Sequence, residues 1–243
     1  MRIFIRFLLA SLFLIHFEIH ANTNDNDTIS EPMRVLTLSK NVISKAQKAW
    51  GLTIPLQNET IEQTKKGAFC ALGEDVIDFE FVSSSLFGRI YDHAEEETKS
   101  DIEDSLLNNY AHVFLEQIGE KINYTYDWEN VKIESENFGR SKDRTEGYSV
   151  EVTTWKPEYD NLPEGSSKPT SSVKFEFIKD SHSDTFKIVD LILAGARVSK
   201  FYAAFVQNIR RRKNTLEEVL DTWAKESIPL CPEDTAPYAK LLE

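Results

Sequence analysis

The hydrophobic period of the chain changes once, near Gly119, and that change limits the folds open to it. Before Gly119 apolar residues recur at three- and four-residue spacing. After it they alternate with polar ones. A chain whose period shifts in this way lays down helices first and then strands with one buried face each. Helices followed by neighbouring strands belong to the α+β class, with an antiparallel sheet and helices gathered on one face.

The helical part reads as follows. Ser30 with Pro32 marks a start, and Val35, Leu38, Val42, Ala46 and Ala49 repeat at helical spacing up to Gly51. A second helix is expected from about Asn58 to Phe69. Asp78 is placed to cap a third, with Phe79, Val82, Leu86 and Ile90 on one face. Ser100-Asp101-Ile102-Glu103 has the capping-box pattern. The long helix it opens carries Ile102, Leu106, Tyr110, Val113 and Gln117 on one stripe, with Leu107, Phe114 and Ile118 beside it.

The alternating part begins with Ile122, Tyr124 and Tyr126, then Val131 and Ile133. Tyr148, Val150 and Val152 follow, then Val173, Phe175 and Phe177, and last Phe186, Ile188, Asp190 and Ile192. The separators around Gly139–Gly147, Pro157–Pro169 and Asp180–Asp184 are turn-like. This pattern predicts a curved antiparallel meander of four to five strands that ends at Gly195. A closing helix over about Val198–Arg212 comes next, then a helical stretch from Leu216 to Trp223. Past Pro229, residues 229–243 read as an irregular tail. A sheet curled over long helices makes a cone, in the manner of nuclear transport factor 2, and the mouth of such a cone suits a small apolar ligand.

Composition narrows the function. Hydrophobic residues make up 41% of the chain, enough to bury a core, so global disorder is excluded. The chain carries 28 Lys+Arg against 40 Asp+Glu, a formal net charge of −12. Binding to nucleic acid rests on cations that neutralise phosphates, so no nucleic-acid partner is expected, nor adsorption to an anionic bilayer. Residues 1–21 have the layout of a secretory signal peptide: Arg2 and Arg6, an apolar run from Phe7 to Ile15, and the small residue Ala21. The run is shorter than the roughly 20 apolar residues that span a bilayer, so no stable membrane insertion is expected. Residues 22–29 form a polar leader, and residues 30–228 form the domain. Export places Cys70 and Cys231 in an oxidising setting, where either a disulfide or two unpaired thiols are open readings.

Signatures of catalysis are missing. The sequence has no Gly-rich phosphate loop, no H-E-x-x-H pair and no G-x-S-x-G elbow. His93, His112 and His182 are scattered, and neither cysteine belongs to a C-x-x-C pair, so no metal site and no cofactor is expected. Asp190 shares an alternating face with Ile188 and Ile192. It reads as a carboxylate bonded to a neighbouring turn, or else as a general base among apolar groups. The run Arg210-Arg211-Arg212-Lys213 sits at a helix C-terminus, where cations offset the dipole. Its second reading is a docking point for a lipid head group or an acidic partner. Asn26, Asn58 and Asn123 lie in N-x-Thr sequons.

Some of these segments resemble a known family. Phe186-Lys187-Ile188-Val189-Asp190-Leu191-Ile192, then Gly195, then a helix bearing Phe201, Tyr202, Phe205 and Ile209, is similar to the closing motif of the MlaC (toluene-tolerance auxiliary) family. Val76-Ile77-Asp78-Phe79, Leu86-Phe87-Gly88 and the helix through Tyr110 to Leu115 resemble the same family's earlier region. The family's Glu-Gly-Val-Ser turn is Ala194-Gly195-Ala196-Arg197 here, and Phe186 stands where Trp is usual. The resemblance implies a non-enzymatic periplasmic carrier that holds phospholipid acyl chains, or a related lipid such as a hopanoid. It also implies an outer-membrane lipoprotein complex and an inner-membrane ABC transporter complex as partners. The residues expected to line the pocket are Val150, Val152, Val173, Phe175, Phe177, Ile188 and Ile192 on the strands, opposed by Val82, Leu86, Leu106, Tyr110 and Val113 on the helices. An enzyme on the same cone, with Asp190 as base, and an exported interaction domain without ligand are the competing readings.

Overall fold

The computed structural model describes residues 29–113, 119–139, 145–163, 165–180, 184–212 and 231–243. The signal-peptide and leader assignments up to residue 28, and the helical stretch Leu216–Trp223, lie outside them.

Helix α1 runs over Glu31–Trp50 and buries Val35, Val42, Ile43, Ala46 and Ala49. Helix α2 spans Ile61–Val76, later at both ends than the expected Asn58–Phe69. The start is fixed by a true capping box: the Thr60 side chain accepts from the Gln63 backbone, and the Gln63 side chain accepts from the Thr60 N–H. Asp78 caps α3, Phe79–Phe87, through a 2.8 Å bond from the Phe81 N–H. Gly88, at φ 63°, ends α3, so Ile90 belongs to the separate turn α4, Arg89–Asp92. Helix α5 covers Glu96–Val113. Its start lies one turn before the Ser100 pattern because Glu96 and Glu97 already complement the dipole there. Ile122, expected in a strand, closes the short helix α6, Gly119–Ile122.

The sheet is antiparallel and six-stranded: β1 Thr125–Tyr126, β2 Lys132–Phe138, β3 Thr145–Trp155, β4 Ser171–Lys179, β5 Phe186–Leu193 and β6 Ala196–Arg197. Its order is β1-β3-β4-β5-β6, with β2 also on β3. Strands β1 and β2 share one edge of β3 and are separated by a turn in which Asp127 accepts from the N–H groups of Glu129 and Asn130. Thr145–Trp155 is long enough to carry both. The meander does not stop at Gly195. Ala194 and Gly195 take positive φ, 50° and 82°, and return the chain into β6. A two-residue hairpin turn of this kind needs that conformation at both positions. Strand β6 passes directly into α7, Val198–Arg212. At the other end of β5 the α2–α3 junction covers the free edge: Ile77 bridges Ile188, and the Asp78 N–H donates to the Ile188 carbonyl at 2.9 Å.

One apolar core joins α1, α2, α3 and α5 to the inner face of β3, β4 and β5. It contains Phe69, Val82, Leu106, Tyr110, Val150, Val152, Phe175, Phe177 and Ile188, and Tyr202 enters it from α7. The C-terminal segment is more ordered than its prolines suggest. It forms a helical turn, α8, Ala236–Ala239, and buries Tyr238 and Leu242. Tyr238 lies so close to α2 that a Cβ on Gly67 would sit 2.3 Å from its ring, which explains a glycine in the middle of that helix. A Cys70–Cys231 disulfide, closing 161 residues of separation, anchors the segment to α2.

A cross-link over so long a loop removes much freedom from the unfolded chain. Cys231→Ser should lower unfolding stability by about 2–5 kcal/mol, read as a shift of the urea midpoint. Reductant should bring the wild type to the same midpoint. A midpoint unmoved by both treatments would mean that the bridge contributes nothing to folding.

Candidate functional site

A cavity of about 240 Å³ opens where α1 crosses the end of the sheet. Helix α1 supplies Val42, Ile43 and Ala46. The α6–β1 segment supplies Ile122, Tyr124 and Tyr126, and the strands supply Val173, Phe175, Leu191 and Leu193. Thr154, Ser171, Ser172, Ala194 and Lys121 complete the wall. Register explains the gradient along it. Phe175 pairs with Leu191 and both are buried; Val173 pairs with Leu193 and both are half-buried. Thr154 pairs with Ser171 at the strand ends. The inner face therefore passes from fully apolar rows to a row of hydroxyls within two residue pairs.

The α6–β1 wall is pinned in place. Gln47 Nε2 donates to the Ile122 carbonyl at 2.9 Å, tying it to α1. The Lys121 carbonyl accepts from the Tyr124 N–H at 3.1 Å and from the Tyr126 hydroxyl at 3.3 Å. Tyr126 stacks on Trp128 with ring centroids 5.7 Å apart. Burial pushes the Tyr126 phenol up to about 12, so it stays neutral. The lining thus offers apolar surface and hydroxyls, with the exposed residue Lys121 among it. Among the described lining residues none forms a nucleophile–base pair.

Of the residues expected in the pocket, Val173 and Phe175 line it. Val82, Leu106, Tyr110, Val150, Val152, Phe177 and Ile188 fill the core, and Leu86 packs against it. The Val113 side chain lies outside the described residues. Ile192 is on the other face. The β4–β5 register shifts at Glu176/Phe177: Phe177 pairs with Ile188, but Glu176 pairs with Asp190. Val189 is the extra residue, a β-bulge that reverses the alternation. Ile188 therefore faces the helices, while Asp190 and Ile192 face away from them and Leu191 and Leu193 turn inward. The α1 positions Val42 and Ala46 lie on the helical stripe legible in the sequence, whereas the expected pocket draws its helix wall from α3 and α5. Leu191 and Leu193 carried no separate signal, because Leu191-Ile192-Leu193 is apolar in either phase.

On the outer face the bulge assembles a buried polar cluster. Glu176 is 1% exposed and Asp190 4%. Arg197 donates to both: Nη1 to Glu176 at 2.6 Å and to Asp190 at 3.0 Å, and Nη2 to Glu176 at 2.5 Å. Asp190 also accepts from the Leu191 N–H at 2.8 Å, the Ser199 N–H at 3.1 Å and the Ser199 hydroxyl at 2.6 Å. Its two oxygens thus accept four bonds, which fill their lone-pair sites and leave none for a substrate proton. It acts as a cap for α7. Elsewhere, Arg211 is exposed on the last turn of α7. Lys213 and the side chains of Arg210 and Arg212 lie outside the described residues, as do His182 and the His112 side chain. His93 is exposed after α4. No helix among the described residues is long and apolar enough to cross a membrane.

No family model and no curated protein matches the chain. Among solved structures, the chain is similar to a phospholipid-binding protein from Ralstonia solanacearum in complex with a phospholipid, at 13% identity and a TM-score of 0.47, over 88% of this chain and 99% of that one.

Burial lifts the Glu176 carboxyl above its ordinary value, with Arg197 pulling it back. A carboxyl raised on folding adds stability below its unfolded value and gives it up as pH rises through the folded one. Arg197→Met removes the pull and leaves two buried carboxylates without their cation. The expected cost at pH 7 is about 3 kcal/mol, the low end for a broken buried pair, because the Arg197 side chain keeps 34% of its surface in water. The deficit should shrink as the medium is acidified toward pH 4, measured as urea midpoints of variant and wild type across that range. A deficit independent of pH would show that the carboxylates are not the source.

Proposed function

We propose that the protein is a lipid carrier of the periplasm that takes acyl chains into the cavity between α1 and the end of the sheet. The observation that carries this reading is the cavity itself: walls of Val42, Ile43, Ala46, Val173, Phe175, Leu191 and Leu193, graded to hydroxyls at one end. An acyl chain loses about 0.8 kcal/mol per methylene when left in water. A carrier therefore needs an apolar hole and a polar rim, and no covalent chemistry. The signal-peptide pattern at residues 1–21 and the Cys70–Cys231 disulfide fit an exported protein in an oxidising compartment. Phospholipid is the expected cargo class. The expected route is between an outer-membrane lipoprotein complex and an inner-membrane ABC transporter. The saturated hydrogen bonding of Asp190 argues against the enzyme reading, and an unfilled apolar space argues against an interaction domain that merely packs its core.

Native mass spectrometry of the freshly purified protein tests this. A lipid-mass adduct is expected, with stoichiometry of one. Leu193→Trp, which puts a large ring across the half-buried end of the cavity, should lower lipid occupancy several-fold with little change in unfolding midpoint. Repeated extraction without lipid, together with no uptake of added lipid, would overturn the reading.

A further inference from the structure

The end of the molecule that holds the cavity also carries the most exposed large apolar side chain among the described residues. Ile54, in the loop between α1 and α2, is 79% exposed. A single exposed isoleucine is ordinary on a protein surface, so its surroundings decide what it means. Leu52 and Leu56 on either side pack against the core, while Thr53, Ile54 and Pro55 between them stay in water. Ile61, at the start of α2, is 41% exposed. The loop is braced from both sides. The Gly51 N–H donates to the Gln47 carbonyl at 2.9 Å. The Leu56 N–H donates to the Thr64 hydroxyl at 2.9 Å, and that hydroxyl donates to Glu59 at 2.8 Å. With the inward positions taken by Leu52 and Leu56, Ile54 is left at the apex.

Helix α1 sets this apex beside the cavity. Its first residue, Glu31, accepts from the hydroxyl of Tyr148 near the start of β3. Its residues Val42, Ile43 and Ala46 line the cavity with Thr154, near the end of β3. Trp50 ends the helix one turn after Ala46, about 6 Å further on, and the loop begins there.

The local charge is opposite in sign to that of the chain. Residues 40–66 carry Lys40, Lys45, Lys48, Lys65 and Lys66 against Glu59 and Glu62, in a chain of formal net charge −12. Lys45 and Lys66 meet Asp75 and Glu62. Lys48 is exposed in the last turn of α1. Lys65 holds its Nζ 4.9 Å from the centre of the Trp50 ring, at the foot of the loop. Glu59 accepts from the hydroxyls of Thr64 and Tyr238. Net charge disfavours adsorption of the chain as a whole, but a contact feels mainly the charges within a Debye length, about 8 Å at physiological salt.

An apolar apex between cations matches the interface of an anionic bilayer. The apex passes below the phosphates, and the ammonium groups stay level with them. One loop is far smaller than the roughly 800 Å² per side of a stable protein interface, whereas a bilayer accepts a contact of any size. The choice of a bilayer as the occupant rests on the lipid-carrier reading, in which cargo passes between cavity and membrane. We infer that the α1–α2 loop is a membrane-contact tip: Ile54 and Pro55 enter the interface of an anionic bilayer reversibly, Lys48 and Lys65 face its phosphates, and the cavity end is brought to the lipid surface.

Co-sedimentation of the purified protein with sucrose-loaded vesicles tests this. Binding to phosphatidylglycerol vesicles is expected, with binding to phosphatidylcholine vesicles at least about fivefold weaker. Ile54→Ser should lower partition onto phosphatidylglycerol about tenfold and leave the unfolding midpoint unchanged, because this side chain is already in water. Lys48→Gln combined with Lys65→Gln should lower it at least about fivefold, the effect of one lysine at an anionic surface. Met33→Ser, on an exposed side chain in the first turn of α1, should change nothing. Partition unmoved by Ile54→Ser, or lowered equally by Met33→Ser, would overturn the tip. So would self-association in sedimentation velocity that Ile54→Ser abolishes, without vesicle binding; the loop would then be a contact between copies. A lipid adduct without vesicle binding would overturn the tip and leave the carrier reading standing. Vesicle binding as expected, in a protein that neither carries nor takes up lipid, would keep the tip and overturn the carrier reading.

Discussion

The β-bulge at Val189 is the constraint on which the rest depends. One extra residue in β5 opposite Glu176/Phe177 reverses which side chains face the helices. Before the bulge Ile188 faces the core. After it Leu191 and Leu193 turn inward and become cavity wall, while Asp190 turns outward and meets Glu176 and Arg197. With a regular strand, Asp190 would point into the apolar layer without a partner, at the cost of burying a charge. The bulge thus separates the two kinds of chemistry onto opposite faces. The hairpin through Ala194 and Gly195 then returns Arg197 over the two carboxylates, and the same Asp190 oxygens hold the first turn of α7.

The space at the end of the sheet follows from what meets there. Toward the middle of the inner face, Phe177, Ile188, Leu106 and Tyr110 interlock, and Tyr110 stacks on Tyr202 with centroids 5.2 Å apart. These large groups come from α5 and α7 as well as the strands and leave close packing. At the end nearer β1 the opposing helix is α1, whose lining residues are Val42, Ile43 and the small Ala46. Strand β1 is only two residues long and meets β3 at Thr154 and Trp155. Short side chains across from a sheet that has nearly run out of strand do not fill the gap between layers, and close packing is lost there.

Much of the architecture is legible in the sequence, because it depends on period and on caps. The switch near Gly119 marks the change from helix to strand, and Asp78 caps α3 as its position predicts. The α+β class, with helices on one face of an antiparallel sheet, follows from that order. What was not legible depends on register. The run Ile188 to Leu193 holds apolar residues in both phases, so alternation alone cannot reveal the bulge, and it predicts for Ile192 the face opposite to the one the residue occupies. Glu176, between Phe175 and Phe177, reads as a routine solvent-facing residue. Its burial comes from Arg197, 21 positions along the chain. The α1 stripe was visible as an apolar face, but nothing local says whether such a face meets a filled core or an empty end.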